Sequence, residues 1–494
     1  MFGRILLFFL TFSCLSGLAQ KTAFPGSELK KFSQEDLRSD LLVLKNILEA
    51  NHPSLYWYTS REKLDSAFSA TLAGINDSMN ELDFKNRVAT FVSEIRCGHT
   101  VVRSSQRYSK NASLYRFPLF PLSIKLWQDS MVVLSTLSGK DQLLSRGTRL
   151  LSINGRDARF FADTFARHIS VDGFGRQFSN QLVSNNFGAF YKNILGLDSV
   201  YHIAYIHSTG QRADTVIKNI FPASMNPSAE KVSRDSIPRL SRRERKKWEL
   251  AEKRRLQMDT VAKTAYMMLG SFSGRGTASF IRSSFRKMRK SGISNLVIDL
   301  RSNGGGKVSN STLLTRYLSN HNFRVADTVV RSTGRLKYKQ HIQQAWLYQL
   351  GLLFSGRRQS DGRFHFSQFE RKVWQPKQRN HFDGNVYLIQ GGFSFSASTL
   401  LLGELRGQRN IRLVGEETGG AYYGNSAMLI PGFTLPHSKI RGSLPLFRVV
   451  AGSGRPRGGG ILPDVAVPPS SEAIRRGIDP KMEKIKSLIA GEKE

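Results

Sequence analysis

The stretch VYLIQGGFSFSASTLLLGEL, residues 386–405, decides how this chain is read. Val386-Tyr387-Leu388-Ile389 is a short apolar run, the pattern of a buried strand. Leu400-Leu401-Leu402-Gly403-Glu404-Leu405 reads as a helix. Between them lies GGFSFSAST, Gly391–Thr399, with three serines and two glycines. Serine suits turns and helix caps, so the turn has an ordinary reading. It also has a chemical one. Ser396 stands at the start of a helix, after a tight turn, close to backbone N–H groups with no intrahelical partner. Such groups stabilise an oxyanion, and the N–H of Ala397 is the natural first donor. Removing a donor of this kind lowers the rate by about 100- to 1000-fold.

Outward from this stretch, strands and helices alternate. Residues 266–269, 296–300 and 411–414 read as strands. Ile281, Phe285 and Met288 mark a helix closed by Gly292, another helix lies near 308–318, and the one after the serine turn runs over 399–406. This alternation predicts a largely parallel sheet, whose ligands gather at the carboxyl ends of the strands. Both the serine turn and Arg301-Ser302-Asn303-Gly304-Gly305-Gly306 sit at such ends. The glycines offer backbone N–H groups unobstructed by side chains, and Gly305 is the candidate second oxyanion donor. They do not form a phosphate-binding loop. Arg301 stands where the first glycine of that motif belongs, and Val308 stands where its Ser or Thr belongs.

Upstream, residues 28–98 read as helical. Ser33 and Asp36 make a capping-box start, and Leu37, Leu41, Leu44 and Leu48 share one face before Pro53. A later helix carrying Phe84, Val88, Phe91 and Ile95 runs into Cys97-Gly98-His99-Thr100, where the glycine is expected to stop it. Histidine titrates near neutrality, so His99 is the candidate base for Ser396. From 117 to 220 short strands take over, Met131–Leu134 among them. Leu143 to Gly155 gives a glycine turn, a strand and an Asn-Gly turn. That phrase resembles the corresponding part of PDZ domains, with an ordinary hairpin as the alternative. Residues 231–255 are dense in Lys and Arg and read as a linker.

The chain has 494 residues, room for two or three domains, and a formal net charge of +35. No zinc-finger spacing or RNA-recognition signature accompanies that charge, so a solvated basic surface is the expectation rather than a nucleic-acid partner. An anionic-polymer binder using 231–255 is a rival that rests on charge alone, and salt dependence would test it. Residues 1–19 have the form of a secretory signal, with cleavage after Ala19. Cys14 is the alternative, as a lipidation site. No other stretch is long and apolar enough to span a membrane. Cleavage leaves Cys97 as the one thiol, hence no internal disulfide. The ten histidines show no HExxH spacing, and no metal or cofactor is implied.

Several phrases together resemble the carboxyl-terminal processing and tricorn-core serine peptidases. Leu300–Gly306 is similar to their LRxNGGG, Ser396-Ala397-Ser398 to their SAS nucleophile turn, and Val414–Gly420 to their VGExTxG. Gly460-Ile461-Leu462-Pro463-Asp464 is similar to their late glycine and PD, and Gly98-His99-Thr100 to the histidine motif of the tricorn-like branch. The resemblance implies an α/β catalytic domain with a ClpP/crotonase-like βαβ core, a helical amino-terminal region and a PDZ-like β-rich domain. The boundaries expected are 28–104 helical, 117–222 PDZ-like, 223–258 linker and 259–494 catalytic. It also implies an exported, periplasmic or outer-membrane-associated serine endopeptidase acting on peptide or protein substrates. Ser396 would attack, His99 would be the base, and Ala397 and Gly305 would bind the oxyanion. The lysine base of the processing branch is missing from Gly419–Asn425, and Ser453–Gly460 lacks the late acid of the tricorn-like branch. Glu416 and Glu417 are the stand-ins. The rival is a peptidase-like binding protein with weak or no catalysis.

Overall fold

The structure is a computed structural model. It describes residues 30–491, except 113–117, 128, 138–142, 208 and 221–251, where only 241 and 244 are described. The signal-like residues 1–19 and most of the basic stretch therefore lie outside the described residues.

Helices α1 (Gln34–Asn51), α2 (Arg61–Ala73) and α3 (Glu81–Ser93) open the described chain. The Ser33 hydroxyl accepts the Asp36 N–H at 3.2 Å, and α1 ends just before Pro53. Leu37, Leu41, Leu44 and Leu48 are all buried, as their spacing requires. α3 stops earlier than the sequence suggests. The helix ends at Ser93, and the chain passes through Arg96, in the left-handed region with φ 58°, before it reaches the next turn at Gly98. Nor do these helices form a core of their own. Leu41, Leu44 and Leu48 share one with Phe433, Leu435, Ile440 and Phe447, because a single amphipathic layer needs a partner to cover its apolar face. The buried Asp40 carboxylate fastens the two parts by accepting the N–H of His437 (2.8 Å) and Ser438 (2.7 Å).

The second unit is an antiparallel sheet of β1 (Leu122–Trp127), β2 (Ser130–Thr136), β3 (Arg149–Ile153), β4 (Val200–Ile206) and β5 (Arg212–Lys218), paired in that order. Asn154 (φ 50°) and Gly155 (φ 74°) make the turn that Asn-Gly predicts. Two helices, α4 (Ala158–Ala166) and α5 (Gln177–Phe190), stand between β3 and β4, where the sequence reading had only strands. Their apolar face is aromatic: Phe161, Phe165 and Phe187 pack with Phe120, Tyr191 and Tyr201.

The third unit carries the serine turn. Its sheet runs β11 (Val465–Ala466), β10 (Ile411–Gly415), β9 (Asn385–Gln390), β8 (Asn295–Asp299), β7 (Thr264–Leu269) and β6 (Arg254–Asp259). Every pairing is parallel except β6 with β7. Residues 254–258, expected to close the linker, belong instead to the edge strand β6, whose side chains alternate between half-buried and exposed as a strand at the rim does. Helices α6 (Thr277–Lys290), α7 (Val308–Leu318) and α8 (Ala397–Leu405) pack on one face of the sheet. On the other face lies α9 (Pro480–Ala490), which meets Val297, Ile389 and Val414 through Ile485. The arrangement turns the carboxyl ends of β8, β9 and β10 toward one site.

Candidate active site

Ser396 links β9 to α8 with φ 55° and ψ −119°, a conformation that favours glycine. The bend lifts its side chain out of the turn, half-buried and without a hydrogen bond among the described residues. Its two neighbours are fully buried and occupied. Ser394 Oγ donates to the Leu300 carbonyl (2.8 Å) and accepts the Gly391 N–H (3.1 Å), while Ser398 Oγ donates to the Asn303 carbonyl (2.8 Å). Two of the three serines therefore tie the turn to the glycine loop, and the middle one is left free.

The same loop is braced from within. Asn303 is buried, donates through Nδ2 to the Leu269 carbonyl (2.9 Å) and accepts the Gly305 N–H at Oδ1 (2.9 Å). Gly305, at φ +94°, lies against the serine turn. A Cβ there would stand 2.8 Å from Ser396 Cβ and 2.9 Å from the Ala397 nitrogen. Glycine thus keeps open the space over the Ala397 N–H, which has no partner among the described residues. The Gly305 N–H itself is engaged with Asn303, so it can reach a second acceptor only by exchanging or sharing that bond. The N–H groups of Gly304 and Gly306 on either side have no partner among the described residues. Arg301 is held by Asp299 (3.0 Å) and by Asp479 at the start of α9 (2.7 Å), which fixes the loop's entry.

His99 reaches this turn from the other side of the fold. Its ring packs on Phe395, the residue before Ser396, with centroids 5.2 Å apart. Gly98 is required for that approach, since a Cβ there would meet Phe395 Cζ at 2.4 Å. The imidazole makes no hydrogen bond to Ser396 or to any other described residue, and its Nδ1 is buried without a partner. Part of the side chain remains open, yet protein surrounds it densely enough that burial pushes its pKa down to about 4. His99 is therefore neutral near pH 7, as a proton acceptor must be. The rest of the GHT loop is held from behind. Buried His52 accepts the Ser54 N–H at Nδ1 (3.1 Å), so its Nε2–H donates to Thr100 Oγ1 (2.9 Å), whose hydroxyl donates to Cys97 Sγ (3.2 Å).

Neither stand-in acid is hydrogen-bonded to His99. Glu416 is ion-paired with Lys481 of α9 at 2.6 Å, and Glu417 accepts the Gly460 N–H at 2.7 Å. The carboxylate that does approach the histidine loop is Asp172, which the sequence reading missed. It is buried and accepts the Gly98 N–H at 2.8 Å. Burial pushes its pKa up to about 7, against the opposing pull of the Gly98 and Ala421 N–H groups. Nothing in Ser170–Gly173 signals such a role, because only the fold brings the segment to Gly98. Among the described residues no group of three or more His, Cys, Asp or Glu side chains is spaced to hold a metal ion.

Comparison with known proteins agrees with this geometry. No curated protein matches the sequence. Among solved structures, mature CPAF aligns over 93% of this chain and 99% of its own, at 12% identity and a TM-score of 0.61. Mature CPAF complexed with lactacystin aligns over the same shares at 12% identity and a TM-score of 0.60. At such identities the likeness shows the fold. The sequence model of peptidase family S41 matches residues 263–467, from β7 through the serine turn to β11. Fold, glycine loop and serine turn thus converge with the sequence match, in which residues 263–467 resemble peptidase family S41.

Proposed function

We propose that this protein is an exported serine endopeptidase working by a Ser–His mechanism, with Ser396 as nucleophile and His99 as base. The observation that carries the reading is the contrast within one turn. Ser394 and Ser398 are bonded into the framework, while Ser396 is held in a glycine-like conformation with its hydroxyl free.

In this mechanism a substrate carbonyl lies over the start of α8. Ser396 Oγ attacks the carbonyl carbon as its proton passes to His99. The negative charge that develops on the carbonyl oxygen meets the Ala397 N–H and the glycine loop, with Gly305 as second donor once its bond to Asn303 is shared. His99 then protonates the leaving amine, and water completes hydrolysis of the acyl-enzyme. No lysine stands beside the serine turn in Gly419–Asn425, so a Ser–Lys dyad is not part of the mechanism. The antiparallel unit of β1–β5 is PDZ-like in this reading and presents extended substrate.

The rival, a peptidase-like binding protein, draws on one observation: His99 and Ser396 share no hydrogen bond. Labelling with a fluorophosphonate separates the two, since a binding protein would leave Ser396 unmodified. Export is tested by mass spectrometry on protein from its native host. A mature terminus near Gln20 is expected, and retention of Met1 would contradict it.

A further inference from the structure

The Ser–His reading leaves the imidazole without an orienting group, and the structure offers one. We propose that Asp172 is the positioning residue of His99, holding the ring through Nδ1 so that the opposite nitrogen serves Ser396. This rests on the Ser–His reading and extends it.

Four observations converge. Asp172 lies in the segment between α4 and α5 and is only 3% exposed. Its Oδ1 accepts the N–H of Gly98, the residue adjoining His99, at 2.8 Å. A Cβ on Gly98 would lie 3.3 Å from that oxygen and 2.4 Å from Phe395 Cζ, and the Phe395 ring packs on His99. The carboxylate, Phe395 and the imidazole therefore all crowd around one glycine. Finally, Asp172 Oδ2 and His99 Nδ1 are both buried, and both lack a partner among the described residues. A buried polar atom without a partner is rare and costs about 1–3 kcal/mol. Here one orphan is an acceptor, the other can be a donor, and both border the same loop. The two are not bonded to each other as they stand, and a hydrogen bond through one water, or a direct one after a small side-chain shift, satisfies both.

The alternative role for Asp172 is to clamp Gly98 by its N–H at Oδ1, and that role leaves Oδ2 idle. No cation is ion-paired with the carboxylate among the described residues. The other titratable groups facing it are Tyr58 and Cys97, with Arg457 beyond, stacked on the Tyr58 ring at 5.4 Å. Burial raises the pKa of both, the Cys97 thiol to about 12, so both are neutral near pH 7. Tyr58 Oη is likewise buried without a partner.

The proton bookkeeping gives the inference a signature. When ionised, Asp172 accepts from Nδ1–H, which leaves Nε2 free to take the serine proton. When protonated, it donates to Nδ1, so the proton of the neutral ring sits on Nε2 and the base is lost. Burial pushes the Asp172 carboxyl up to about 7 and the His99 imidazole down to about 4, so as the pH falls the carboxyl takes up its proton before the ring does. An amide at 172 keeps an acceptor for Gly98 but offers Nδ1 a donor at every pH.

The experiment measures peptide turnover and the rate of fluorophosphonate labelling across pH 4–9, for wild type, Asp172→Asn, His99→Ala and the double variant. Wild type should lose activity below about pH 7, the value set by Asp172. Asp172→Asn should cut kcat by about 100- to 10,000-fold with little change in KM, and its residual activity should lack the limb near 7. The double variant should be no slower than His99→Ala, because the two residues act as one unit. A wild-type limb near 4 overturns the proposal without recourse to any variant, so poor folding of Asp172→Asn cannot rescue it. An unchanged limb in Asp172→Asn, or a loss that adds in full to that of His99→Ala, overturns it too. If His99→Ala itself keeps the wild-type rate, the underlying Ser–His reading is what fails.

Discussion

The Ser396 hydroxyl plays no part in holding the fold, and those of its neighbours do. A non-glycine residue at φ 55° and ψ −119° is strained by about 1–3 kcal/mol, and the Ser396 hydroxyl makes no hydrogen bond that offsets it. Ser396→Gly should therefore be at least as stable as wild type while losing all fluorophosphonate labelling. Ser394→Ala and Ser398→Ala should behave in the opposite way. Each breaks a buried hydrogen bond and should lose about 1–3 kcal/mol in chemical denaturation while still being labelled. The three hydroxyls look alike in GGFSFSAST. The resemblance to an SAS turn singled out Ser396, but what Ser394 and Ser398 do was not legible. Their partners, Leu300 and Asn303, lie 94 and 95 residues away in sequence.

The loops between strands and helices hold the rest of the candidate site, and they were read unevenly. Asn303–Gly306 was recognised from its composition, because closely spaced glycines at the end of a strand announce accessible backbone. Its internal bracing by the Asn303 side chain was not. Gly305 gives the direct test. A Cβ at this position is strained by φ +94° and would intrude to within 2.9 Å of the Ala397 nitrogen. Gly305→Ala should lower kcat by at least about 100-fold, the loss typical of a blocked oxyanion site, in a protein that still folds by circular dichroism. Wild-type turnover from a folded Gly305→Ala protein would place the oxyanion elsewhere. Gly98 looked like a helix stop, and the structure gives it another function. The helix has already ended at Ser93, and Gly98 is small so that the histidine loop can lie against Phe395. Helices α4 and α5 escaped the sequence reading, and with them Asp172, because an isolated acid between two short helices carries no periodic signal.

Across the fold as a whole, the order of strands and helices around the sheet was legible, since apolar runs bounded by glycine turns mark buried parallel strands without knowledge of their partners. The packing between units was not. α9, unread in the sequence, pins the ends of β8 and β10 through Arg301–Asp479 and Glu416–Lys481. The amino-terminal helices share a core with residues after 326 rather than forming one alone. That shared core hides a pH dependence. His52 is fully buried in its neutral form, and burial pushes its pKa down to about 3. The unfolded chain gains a proton on this residue below about pH 6.5, whereas the folded chain does not until near 3. Stability present above 6.5 should therefore be lost at up to about 1.4 kcal/mol per pH unit as the pH falls through that window. His99 and Asp172 titrate in the same window, so the test is the difference between urea midpoints of wild type and His52→Gln from pH 7 to 4, which should change with this slope because the variant cannot take up the proton.

The decisive measurement is the site and rate of fluorophosphonate modification in wild type and in His99→Ala, located by peptide mapping at pH 8. A single adduct on Ser396 is expected in wild type, forming at least about 100-fold more slowly without the imidazole. An adduct on another serine, or a rate at Ser396 indifferent to His99, would contradict the Ser–His mechanism. A folded wild-type protein that takes up no label would leave a peptidase fold used for binding.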